Sequence, residues 1–67
     1  MIDNTIINAA SAQAIRSGYD QAIYLDKQKQ YRFTRTTAVK NMKKSKIKAI
    51  VKLVYRDGML NTKMVAI

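Results

Sequence analysis

The sequence predicts a small single α+β domain over residues 1–67, with helices covering one face of an antiparallel sheet, and three observations predict it. Asp57-Gly58 separates two apolar-rich runs. Residues 4–17 carry apolar side chains at helical spacing. Two short strand-like runs lie between residues 22 and 35.

From the N-terminus, Asp3 or Asn4 suits a helix cap, and Ile7, Ala10, Ala14 and Ile15 fall on one stripe. Gly18 follows as a residue able to close the helix in the left-handed conformation. The stripe is mostly alanine, so this helix packs close to its support and buries little area. Ala14, Gly18 and Tyr24 also fit, weakly, the turn of a helix-turn-helix, in which small residues let two helices approach.

Ala22 to Leu25 reads as a short strand, residues 26–30 as a polar connection, and Tyr31 to Arg35 as a second strand. The connection lacks Gly, Asn and Pro, so a longer loop is expected in place of a tight primed turn. Tyr31, Phe33 and Arg35 share one face of the second strand, and Arg32 and Thr34 the other. Arginine interleaved with aromatics can form a stacking platform for bases, but a small sheet needs its largest hydrophobes inside, and Phe33 is assigned to the core. A second short helix is expected at about residues 37–45, with a threonine cap and a narrow stripe of Ala38, Val39 and Met42. Lys40, Lys43, Lys44 and Lys46 cluster at its end, where cations suit the negative pole of a helix.

Residues 46–67 form the predicted C-terminal hairpin. Asp-Gly supplies the two positive φ angles of a type I′ turn. Pairing outward from it sets Arg56 opposite Met59, Tyr55 opposite Leu60, Lys52 opposite Lys63 and Ala49 opposite Ala66. Ile47, Ala49, Val51, Leu53, Tyr55, Leu60, Met64 and Ala66 then share a face, the expected core wall. Lys48, Lys52, Arg56 and Lys63 occupy the other, around Ile50, Val54, Met59 and Val65. The rival pattern is helical. Ile47, Ile50, Val51 and Val54 fit i, i+3, i+4, i+7, and Ser45 can cap the start, which would make a mostly α, helix-turn-helix-like domain. The β-branched content and the following partner run favour strands.

Charge carries most of the functional information. Thirteen Lys and Arg against four Asp and Glu give a net +9. Residues 1–26 hold only Arg16 among the cations but three of the four aspartates, whereas residues 27–67 hold every other cation and Asp57 alone. Such asymmetry points to a polyanionic partner. Cysteine and histidine are both absent, which removes cysteine nucleophiles and the usual zinc ligands. With two glycines there is no phosphate-cradling loop, and no serine has a histidine to activate it. A non-catalytic chain with no cofactor and no metal is expected. No apolar run approaches the ~20 residues of a membrane span. The first residues lack the features of a signal peptide, so a cytoplasmic location is expected.

The leading functional expectation is a nucleic-acid-binding protein, for DNA or RNA, that contacts phosphates through Lys43, Lys44, Lys46, Lys48, Lys52, Arg56 and Lys63, joined by Arg32 and Arg35. The alternative is a small phage-type interaction module that inhibits a host nucleic-acid-processing complex by docking on its acidic or nucleic-acid-binding surface. Its feature is the apolar patch of Ile50, Val54, Met59 and Val65 among the lysines. A homodimer through the same patch is a third expectation.

Overall fold

The computed structural model describes residues 2–66. Helix α1 (Asn4–Ser17) is followed by strands β1 (Gln21–Leu25), β2 (Tyr31–Arg35), β3 (Ile47–Arg56) and β4 (Met59–Ala66). The strands form one antiparallel sheet in the order β2-β1-β3-β4, with α1 packed on one face. This is the α+β class the sequence predicts, with residues 47–56 a strand and no helix-turn-helix. Strand β1 stands where a recognition helix would have to follow Gly18.

Both ends of α1 are chemically closed. The Asp3 side chain accepts a hydrogen bond from the Thr5 backbone N–H at 3.1 Å. At the other end Gly18 sits at φ 77° and donates its N–H to the Ala14 carbonyl. The helix lays Ala10 and Ala14, both fully buried, against Ile23 of β1 and Val51 of β3. Ile2, Ile6, Ile7, Tyr31, Phe33 and Leu53 pack around that centre, so the aromatics of β2 are half-buried against the core.

The β3–β4 hairpin has the predicted register, from Arg56↔Met59 to Ala49↔Ala66. Asp57 and Gly58 take φ 54° and 76°, the two positive values a type I′ turn requires. Between β1 and β2 the longer loop is present, and Asp26 organises it. Its Oδ1 accepts the backbone N–H groups of Gln28 and Gln30, both at 2.9 Å, while Lys29 takes the left-handed conformation at φ 62°.

Three expectations need correction. The helix at about residues 37–45 is absent, replaced by 3-10 turns at Thr36–Val39 and Lys44–Lys46. Strands β2 and β3 flank β1, so this segment carries the chain from one side of β1 to the other. Thr36, Thr37 and Val39 are β-branched, which disfavours an α-helix. Nor do all helical segments lie on one face. Ala22 points away from α1 yet is fully buried, and the first turn, with Val39 buried, contacts β1 and β2, so the crossover covers the sheet there.

The third correction concerns the core wall. Tyr55 is 80% exposed and Met64 46%, although both lie on the helix-side face. Fourteen helical residues span about 21 Å. The ten residues of β3 span about 33 Å, so α1 leaves the hairpin end at Tyr55 uncovered. Met64, opposite the buried Val51, is exposed because it lies on the edge strand β4.

Candidate nucleic-acid interface

Direct cross-strand partners share a face. The pairs Ala22↔Thr34, Ala22↔Ile50, Tyr24↔Arg32 and Lys52↔Lys63 therefore place Arg32, Lys52, Arg56 and Lys63 on the face opposite α1. Lys48 has no cross-strand partner among the described residues and lies at the register shift between Ile23↔Ala49 and Tyr24↔Ile47, where the crossover joins β3. Lys43, Lys44 and Lys46 are exposed in the crossover that leads onto this face. Eight of the nine predicted basic residues are thus on the open face, on the crossover leading to it or at their junction.

Arg35 is the exception. It pairs with Gln21 on the helix side, and its guanidinium lies 4.6 Å from the centre of the Tyr19 ring. The alternation of β2 separates Arg32 from Arg35, and the stack on Tyr19 holds Arg35 away from the other cations.

The carboxylates are placed elsewhere. Asp3 caps α1 and Asp57 occupies the turn. Asp20 Oδ1 accepts the Leu53 backbone N–H at 2.8 Å, and its carbonyl oxygen accepts the Thr36 N–H at 3.1 Å. Asp26 Oδ2 accepts from Arg32 Nε at 2.8 Å, the one ion pair among the described residues. The Gln30 backbone N–H, then the Arg32 hydrogen bond, hold the Asp26 carboxyl below its ordinary value. Asp26 in turn raises the Arg32 guanidinium above its own. Arg32 is therefore partly neutralised, whereas Lys48, Lys52, Arg56 and Lys63 have no carboxylate partner among the described residues. Lys48 Nζ donates to the Ser45 carbonyl at 2.8 Å, which binds the crossover to the start of β3.

Lys52 and Lys63 are the sharpest feature. They stand directly opposite each other with both side chains exposed. Like charges in that relation repel, and an anion between them relieves the repulsion.

The apolar residues divide. Met59 is 71% exposed and Val65 37%, while Ile50 and Val54 are half-buried. The patch is thus strongest at the hairpin tip. Asn61 turns its side-chain oxygen to the Thr62 N–H at 2.8 Å. Arg56 and Met59 close the turn as a hydrogen-bonded pair, so Thr62 belongs to the alternate set whose N–H points outward from the free edge of β4. That mid-strand donor is already satisfied.

Asp20 is the residue sequence reading missed. β1 stops pairing with β3 at Gln21↔Val51, and the Asp20 carboxylate satisfies the next outward amide, Leu53. Its position just before the first strand is the only signal of this in the sequence.

Among the described residues no group of three or more metal-ligating side chains forms, and no helix is long and apolar enough to cross a membrane. No protein-family model matches the sequence, and neither a curated protein nor a solved structure gives a significant match.

Proposed function

We propose that the chain binds nucleic acid through the open face of its sheet, without catalysing a reaction. One observation carries the reading. Lys52, Arg56 and Lys63 share a sheet face, with Lys48 at the start of β3 beside it, none of them with a carboxylate partner among the described residues, and Lys52 is set against Lys63. An anion that bridges the two lysines removes their repulsion, and a phosphate backbone supplies such anions at regular spacing. Lys43, Lys44 and Lys46 extend the positive surface through the crossover.

The side chains suit backbone contact more than base readout. Lysine is a point charge without the planar fork that matches a base edge. Single replacements Lys48→Ala, Lys52→Ala and Lys63→Ala are expected to weaken binding to unrelated sequences alike, because a phosphate contact carries no base information. Lys27, exposed in the β1–β2 loop, is the comparison and should matter much less. Equal effects of Lys27→Ala and Lys52→Ala in a mobility-shift titration would refute this use of the open face.

A second reading rests on Met59 and Val65, exposed beside these lysines. A mixed apolar and basic surface also suits an acidic protein partner, including a host nucleic-acid-processing complex that the chain would inhibit. That reading gives tight binding to one protein and negligible binding to free nucleic acid.

A further inference from the structure

The hairpin does not end where its support ends. Pairing between β1 and β3 stops at Gln21↔Val51, and Asp20 holds the Leu53 amide one step further. Beyond Leu53 the chain is a two-stranded ribbon, Val54 to Asn61, joined through the Asp57-Gly58 turn. Its tip carries the two most exposed large hydrophobic side chains among the described residues, Tyr55 at 80% and Met59 at 71%. The cross-strand pairs put Met59 beside Arg56 on one face and Tyr55 beside Leu60 on the other. Nothing in the fold requires an aromatic ring and a thioether in solvent at the end of this ribbon.

We propose that this ribbon is the duplex-reading element, entering the major groove of B-form DNA tip first. The proposal rests on the nucleic-acid reading above and specifies its substrate. Dimensions select the groove. A ribbon with side chains on both faces is about 10 Å thick, the spacing of packed sheets. It fits a major groove about 12 Å wide and not a minor groove of about 6 Å. The free length beyond Leu53, about four residues or 13 Å, exceeds the groove depth of about 8.5 Å. A-form RNA closes its major groove to such an element, since that groove is deep and narrow.

Charge follows the same geometry. Arg56 lies at the tip beside the exposed Asp57 of the turn, so the tip is neutral overall, and the Arg56 planar fork is the group that meets guanine O6 and N7. Lys52 and Lys63, opposed to each other, lie four residues back from Arg56 and Met59, again about 13 Å. At that distance they stay at the rim of the groove, level with the phosphates. Tyr55 and Met59 then lie against the groove walls, where thymine methyl groups offer apolar contact.

The test compares three probes of equal length at low salt: a DNA duplex, the RNA duplex of the same sequence, and single-stranded DNA. Fluorescence anisotropy is expected to show the DNA duplex bound at least tenfold more tightly than the other two. The double variant Tyr55→Ser, Met59→Ser should weaken duplex binding several-fold while leaving the salt slope unchanged, because no charge is lost. Replacing guanine by 7-deazaguanine removes an acceptor from the major groove alone, and should weaken the intact protein but not Arg56→Ala. Equal binding of all three probes, with neutral tip variants, overturns the ribbon proposal and leaves the basic-face reading standing. No binding to any probe at low salt removes both. Because these tip side chains are exposed, circular dichroism of the variants should match that of the parent chain.

Discussion

Replacing Asp20 by alanine removes a single carboxylate, and the structure sets how much that costs. Asp20 Oδ1 accepts the Leu53 N–H at 2.8 Å across 33 residues of sequence, in a part-buried position. A hydrogen bond to a charged group contributes about 1.5–3 kcal/mol. Water can reach the freed amide at the sheet margin, which places the loss near the lower end, about 1.5–2 kcal/mol. For a domain of this size each kcal/mol moves the melting temperature by about 4–8 °C, so a fall of roughly 6–16 °C is expected. Asp20→Asn keeps an acceptor oxygen and should lose about half as much. Urea denaturation with unchanged m-value measures the free energy, and hydrogen exchange at the Leu53 amide locates it. If Asp20→Ala lies within 0.5 kcal/mol of the parent and Leu53 exchange is unaltered, the carboxylate does not anchor the ribbon, on the usual scale for neutral surface substitutions.

Three further outcomes follow from the same structure. Gly58→Val should destabilise the domain by about 1–2 kcal/mol or more, because a β-branched residue must hold φ 76°, although no atom lies within 4 Å of an added Cβ; loss of the Tyr55–Leu60 cross-strand NOE would report it. Val51→Asp, at a fully buried position, should unfold the domain, whereas Val65→Asp on the free face should leave it folded; the reverse pattern in circular dichroism would show the faces exchanged. The Asp26 carboxyl is lowered in the folded state, so its contribution is complete above the unfolded carboxylate range and is lost as pH falls through the lower folded value. The Gln28 and Gln30 amide shifts should therefore titrate below the usual aspartate range, and Asp26→Asn should abolish that titration.

The hairpin was legible in the sequence because Asp57-Gly58 pins its register and the alternation then dictates both faces. The first helix was legible from its cap, its alanine stripe and Gly18. What stayed hidden depends on neighbours distant in sequence. That β1 lies between β2 and β3 is set by pairing across the sheet, and this makes residues 36–46 a crossover, which here contains two 3-10 turns. Exposure of Tyr55 depends on how far α1 reaches along β3, and that of Met64 on β4 being the edge strand, neither of which periodicity within a strand contains. Within the candidate interface, the alternation along β3 and β4 placed Lys52, Arg56 and Lys63 on one face, because direct partners share a face, while the register shift at Lys48 was not visible in it. Arg35 was drawn toward them by charge alone, and the Tyr19 ring holds it on the other side.

The central claim is that the open face binds phosphates, and the salt dependence of duplex binding tests it most directly. With about five phosphates neutralised, the logarithm of affinity should fall linearly against the logarithm of salt concentration with a slope of roughly −4 to −5. Lys52→Ala should make that slope shallower by about one. A titration that shows no binding at about 0.15 M salt, or binding whose affinity does not change with salt, would contradict the claim.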